Sequence, residues 1–305
     1  MAQNDDPDII SDVTPQHRKL ADAAVQIRQE HPWDAEEMGY MSKTLISASL
    51  PYTDPGDVAV WTRSNGSRTL FITPGYHNDG DSIINYGIPY GSIPRLILIW
   101  ACTEVKIKKS PELELGKSLN AFLNQLGFTT GGAKAYESAR KQIIRLFASS
   151  LAWEDEIISK GKSHNIRHTL SLMNKWSIWT NPVDQTMQWN STITLSDDFF
   201  NEILQNFFPI DMRAIQALKN SPVALDLYMW LTKRMYSLGH TLIIPWPILY
   251  KQLGADMKEM RRFKRHIADR LTHVKVVYPG LNYEIDAKGL ILKPSAPSVP
   301  LTRKI

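Results

Sequence analysis

The feature that most restricts this chain is an order of elements that occurs twice. Pro94 opens an apolar run, Arg95-Leu96-Ile97-Leu98-Ile99-Trp100-Ala101-Cys102, that ends in Lys106, Lys108 and Lys109. Cations at that end complement a helix C-terminus. Pro111-Glu112-Leu113-Glu114-Leu115 reads as a short extended piece, and a helix is expected from about Lys117 to Leu126, halted by Gly127. Past Thr129-Thr130-Gly131-Gly132 a third helix runs to about Ser149, with Tyr136, Ala139, Ile143 and Phe147 on one stripe. Gln125-Leu126-Gly127 then returns 127 residues later as Gln252-Leu253-Gly254, and Pro94 returns 128 residues later as Pro222. In the second copy Ser221-Pro222 caps the apolar run Val223–Trp230, and Pro247–Leu253 is a short helix ended by Gly254. A helix over about Asp256–Thr272 carries Met257, Met260, Phe263, Ile267 and Leu271, with Val274 beyond, on one face. Helix, helix, glycine-bearing turn and helix is the helix-turn-helix order. The matched spacing of three helices and two caps favours a duplicated unit over chance.

Each third helix is followed by strand material. After the second come Lys275-Val276-Val277-Tyr278, a Pro279-Gly280 turn, Asn282–Ile285 and Gly289–Leu292. A helix-turn-helix followed by such a hairpin is a winged helix. After the first copy the strands are longer, with an alternating run at Met187, Trp189, Ile193 and Leu195. Upstream, Thr14-Pro15 with Leu20, Ala23, Ala24 and Ile27 reads as a capped amphipathic helix, and Val58–Thr62 and Thr69–Thr73 flank Asn65-Gly66 as a hairpin. Residues 74–89 are Gly- and Pro-rich loop with one short strand. The fold expected is α+β: two tandem winged-helix domains, the first elaborated with an N-terminal helix and β-hairpin. The boundaries expected are 1–13 for an acidic flexible N-terminus, 14–196 and 197–293 for the two domains, and 294–305 for a loose tail.

Composition sets the function classes aside one by one. The single cysteine, Cys102, excludes an internal disulfide framework and an all-Cys metal site, and its apolar neighbours make it a small buried hydrophobe. No stretch of about 18 uncharged apolar residues occurs, so no transmembrane helix is expected, and the acidic start lacks a secretory core. A cytoplasmic protein without membrane contact is the expectation. The net charge of +4 is small, but the first 12 residues carry −4, so the remainder carries +8.

That excess is concentrated. Lys258, Arg261, Arg262, Lys264, Arg265 and Arg270 face Glu259 and Asp269 across the third helix of the second copy, a local +4 opposite the apolar stripe. A recognition helix buries one face on its own domain and offers the other to a polyanion, and the planar fork of arginine reads guanine or clamps phosphate. Arg261, Arg262 and Arg265 are expected nearest the bases, with Lys258 and Lys264 nearer phosphate. In the first copy Lys134, Arg140, Lys141 and Arg145 against Glu137 give +3; this helix either touches DNA or serves a subunit interface. Residues 157–175 hold Lys160, Lys162, Arg167 and Lys175 with no acid, and Gly161 between two lysines reads as a hairpin tip able to reach phosphate.

Catalytic readings fare worse. His164 and His168 stand four apart but lack a third ligand, and no His-x-His pair of a strand-nicking enzyme occurs. Gly116-Lys117-Ser118 and Gly161-Lys162-Ser163 end like a P-loop, but Pro111 and Glu156 stand where its first glycine is required. Trp176, Trp179 and Trp189 suit a core better than a base-stacking platform. No cofactor, metal or enzymatic activity is expected.

The run Tyr86-Gly87-Ile88-Pro89-Tyr90-Gly91-Ser92-Ile93-Pro94-Arg95-Leu96 to Glu104, then Glu112-Leu113-Glu114-Leu115-Gly116 and Leu126-Gly127…Thr130-Gly131-Gly132, resembles the plasmid-encoded RepA replication initiator family, as does the hairpin Trp61–Gly66. The likeness spans about Val58–Phe147. It implies two winged-helix domains that bind repeated (iteron) double-stranded DNA sites at a plasmid origin, melt adjacent DNA and recruit the host initiator and helicase. It also implies exchange between a homodimer and DNA-binding monomers, and places Arg140 and Lys141 on the first unit's third helix. The alternative kept beside it is a winged-helix transcriptional autorepressor that does not open DNA.

Overall fold

Both apolar runs fold as helices buried on nearly every side, which is where a helix without a polar face must sit. In the computed structural model, which describes residues 14–46, 49–78, 80–128, 132–159, 162–176, 191–254 and 257–300, the chain starts with α1 (Pro15–Gln29), β1 (Met38–Ser42) and α2 (Lys43–Ile46). Next come β2 (Trp61–Asn65), β3 (Arg68–Thr73), β4 (Tyr76–Asn78) and β5 (Ile83–Asn85). The first repeat is α3 (Ser92–Lys108), β6 (Glu112–Glu114), α4 (Leu119–Gln125) and α5 (Ala133–Ala148), followed by β7 (Ser150–Ser159), β8 (Lys162–Ser171), β9 (Met173–Trp176) and β10 (Thr192–Leu195). A connector of α6 (Asp197–Gln205), β11 (Phe207–Asp211) and α7 (Met212–Leu218) leads to the second. That is α8 (Pro222–Met235), β12 (Leu242–Pro245), α9 (Trp246–Leu253), α10 (Met260–Val277), β13 (Asn282–Ile285) and β14 (Gly289–Lys293).

The two repeats share one plan. In the second, β12 pairs antiparallel with β14, and β14 with β13. In the first, β6 pairs with β10, and β10 with β9, which is the same order. The first repeat differs by an interposed hairpin, β7–β8, which leaves its own sheet and completes a four-stranded one in the order β2-β3-β7-β8. Local signals set the helix starts: the hydroxyls of Thr14, Ser118 and Ser221 accept from His17, Ala121 and Ala224 N–H at 3.3, 3.1 and 3.3 Å.

Asp226 on α8 and Arg95 on α3 join the repeats. Arg95 Nε and Nη2 donate to the two carboxylate oxygens of Asp226 at 2.8 Å each, and the guanidinium also donates to the carbonyls of Leu50, Pro51 and Gly91. Both side chains are under a tenth exposed. Arg63 on β2 donates to Ser49 at 2.7 Å and lies 4.7 Å from the centre of the Tyr52 ring, whose hydroxyl burial pushes up to about 12. A single apolar core runs from Leu20 on α1 through α3 and α8 to Leu292 on β14.

Several boundaries differ from the sequence reading. The first hairpin strand starts at Trp61 rather than Val58, and residues 74–89 hold a short two-stranded ribbon, β4–β5. The third helix of the second repeat starts at Met260 and continues to Val277, because Val274 and Val277 extend its buried stripe. The stretch 294–300, expected to be loose, is held down. Val299 is buried, Tyr278 donates to the carbonyl of Ala296 at 2.6 Å, Tyr228 and Ser298 hydroxyls meet at 2.9 Å, and Tyr236 donates to the carbonyl of Val299. Two buried tyrosines, Tyr228 and Tyr278, and the half-buried Tyr236, with hydroxyls to satisfy, explain the strap. The acidic segment 1–13, residues 301–305 and the alternating positions Met187 and Trp189 lie outside the described residues.

Candidate nucleic-acid interface

α10 is divided lengthwise. Phe263, Ile267, Leu271, Val274 and Val277 are buried, and Phe263 is clasped edge-on between Tyr250 and Trp246 of α9, with ring centres 5.2 and 6.3 Å away. Tyr250 also donates to the carbonyl of Met257, and this closes the turn between the helices. Gly254 is required there, since a Cβ would stand 2.5 Å from the Tyr250 ring and 2.7 Å from its carbonyl oxygen. This packing fixes which way the opposite face looks.

On that face Arg261, Arg262 and Arg265 are exposed and share one shallow concavity with Glu259. Lys258 is also exposed, two residues before the helix rather than on it. None of these four cations makes an ion pair among the described residues. Lys264 is half-buried, its amine 5.3 Å from the centre of the Trp246 ring, so its charge is partly held by that ring. Arg270 is anchored, 3.0 Å from Asp269 and 3.4 Å from His273 Nδ1. His266, which sequence reasoning passed over, lines a second concavity with Lys258, Arg262 and Arg270. Its place four residues after Arg262 and four before Arg270 was the available signal. Burial, then the Arg270 charge, holds its ring below the usual histidine range.

The first repeat presents its cations differently. Lys134 and Lys141 are exposed on α5, and Arg140 pairs with Glu137 at 3.5 Å. Arg145 is turned onto the loop before α3: it donates to the carbonyl of Tyr86 at 2.8 Å, reaches Asp54 at 3.3 Å and lies 5.3 Å from the centre of the Tyr90 ring. Arg167 on β8 is exposed and 3.3 Å from Glu154. The backbone of Lys162 pairs with Ser159, so β7 and β8 close where a hairpin tip was read; Lys160, Gly161 and the side chain of Lys162 lie outside the described residues. No α5 cation lines either concavity on α10.

The remaining candidates have local duties. His168 stacks on Trp153 at 5.9 Å, and Ser118 of the P-loop-like tripeptide is the cap of α4. Trp176 packs near Phe147, while Trp179 and Trp189 lie outside the described residues. Cys102 is buried, its thiol pushed up to about 12 by burial. Among the described residues no helix is long and apolar enough to cross a membrane.

The pattern described for the plasmid-encoded RepA protein family matches residues 88–243, more than half of the chain. The chain belongs to that family. The matched stretch runs from the segment before α3 into β12, so it holds the first repeat and the connector whole and stops short of α10. Among solved structures the chain is similar to RctB domains 2-3 at 13% identity, TM-score 0.49, with 82% of this chain and 96% of that one covered. A selenomethionine form of the same two domains is similar at 15% identity, TM-score 0.48 and the same coverage. No curated protein matches the chain.

Proposed function

We propose that this RepA-family chain is a plasmid replication initiator that acts without enzymatic chemistry, binding repeated double-stranded sites at its own origin. Each repeat, with its third strand between the first and second, is read as a winged helix, and α10 as the helix that enters the major groove. The observation that carries the reading is the face of α10: Arg261, Arg262 and Arg265, with Lys258 just ahead of the helix, are exposed and make no ion pair among the described residues, and the helix's other face is locked in place. Membership of a plasmid-encoded family supports the origin as target, and recruitment of the host initiator and helicase follows from the same reading.

Arg261→Glu together with Arg262→Glu should weaken binding to the DNA flanking the gene by roughly a hundredfold or more, with unchanged thermal unfolding. Wild-type affinity in that variant would overturn the assignment. Permanganate reactivity of thymines in supercoiled origin DNA separates initiation from repression: the initiator opens the duplex, and a repressor leaves it closed.

A further inference from the structure

We infer that the concavity between the start of α10, the start of α8 and the loop at Tyr52–Thr53 is a phosphate site that holds the DNA backbone beside the groove α10 enters. This rests on the reading of α10 as the groove helix. The concavity encloses about 760 Å³. One wall is the row Arg262, His266 and Arg270, spaced four apart on a single face of α10, with Lys258 at its head. Glu259 is the one carboxylate in the lining. The opposite wall brings no charge: Thr53, Asn220 and Ser221 supply hydroxyls and an amide. Several cations facing neutral donors, without acids across from them, suit a phosphodiester.

The two basic rows of α10 therefore divide the work. Arg261 and Arg265 look into the shallow face, and Arg262 is shared by both concavities. Arg270 is held by Asp269 and His273, so its position does not depend on a ligand. Thr53 belongs to the loop whose neighbours Leu50 and Pro51 accept from Arg95, which ties this wall to the joint between the repeats. A strand lying here crosses the seam between them.

His266 gives the site a proton signature. Burial, Arg270 and Arg262 disfavour its charged form, and Asp269 favours it. Lys258 and Glu259 line the same concavity, and from the other walls the titratable side chain is Tyr52, which stays neutral. A phosphate between the two arginines offsets their repulsion, so binding takes up a proton on His266.

The test uses the full-length protein with Asn220→Asp, which sets a carboxylate on the neutral wall, and His266→Gln, which removes the titrating ring. Asn220→Asp should weaken a gene-flanking duplex and an unrelated duplex by the same factor, roughly three- to tenfold, and lower the salt slope by about 1. His266→Gln should abolish the added affinity that wild type gains below neutral pH. Unchanged affinity, slope and pH profile in both variants, with Arg261→Glu/Arg265→Glu, which touches only the shallow face, still weakening binding, would overturn the concavity and leave the groove helix standing. Wild-type affinity in Arg261→Glu/Arg265→Glu would instead overturn the groove helix. Millimolar inorganic phosphate that displaces duplex from wild type beyond a chloride control, but not from Asn220→Asp, would assign the concavity to free phosphate and also overturn the proposal.

Discussion

α5 and α10 hold the same place in two copies of one plan, yet they use their cations in opposite ways. On α5 the guanidinium of Arg145 is turned onto the loop before α3, and Gln142 accepts from Tyr90 N–H at 2.8 Å, so this side of the helix works as a clamp. Among the described residues, Arg261, Arg262 and Arg265 on α10 make no such bond, and all three stay exposed. Position in the repeat thus settles which face is buried; a neighbouring loop settles whether the other face is available. The turn glycines teach the same lesson. Gly127 has φ 83°, a left-handed conformation that favours glycine, whereas Gly254 is needed because Tyr250 closes over it.

The largest effect should come from breaking the joint through which the two repeats can be compared at all. Asp226→Ala leaves Arg95 buried beside Tyr52 without its carboxylate, which should cost about 3–5 kcal/mol. Urea unfolding followed by tryptophan fluorescence measures this directly. A loss below about 1 kcal/mol would mean that the two repeats stand independently and that α3 and α8 do not need each other's charge.

The next prediction separates clamp from contact. Arg145→Ala should lower stability by about 2 kcal/mol, because it removes charge-assisted bonds to Tyr86 and Asp54. Its affinity for DNA, measured where the variant is fully folded, should stay within about twofold of wild type. Arg261→Ala should do the reverse and weaken binding without moving the unfolding midpoint. Comparable losses of affinity from both would erase the distinction between α5 and α10.

The parts of the fold legible in the sequence were those written locally. Ser221-Pro222 and Thr14-Pro15 announce helix starts, Gly127 and Gly254 announce turns, and the spacing of Phe263, Ile267 and Leu271 announces the buried face of α10. Pairings between distant segments were not legible. Met38 meets Asp211, Ile193 meets Leu113, and Arg95 meets Asp226, and no local pattern carries information about a partner so far away. The interposed hairpin β7–β8 was visible only as a basic turn. For the site, charge counting ranks α5 and α10 alike in kind, because a count cannot tell Arg145 donating to a carbonyl from Arg261 facing water. His266 was missed because a neutral residue adds nothing to a count, although it shares a face with two arginines.

The smallest expected effect sets the helices apart by acidity. α5 carries no histidine, while α10 carries His266 and His273, the latter edge-on to His17 of α1 with ring centres 6.1 Å apart. Burial first, then Arg270, holds both α10 rings below the ordinary value of 6.5. A histidine whose folded pKa is depressed binds fewer protons folded than unfolded, so stability rises with pH across that interval. The contribution is complete above about pH 6.5 and is lost as pH falls from there through the lowered folded values. Hydrogen exchange should therefore show α10 and its contact with α1 opening more readily as pH falls through that window, while α5 keeps its protection. His273→Gln should flatten part of the change at the α1 contact. Equal loosening of α5 and α10 would sink this idea, because the histidines that α10 has and α5 lacks would then have no structural effect.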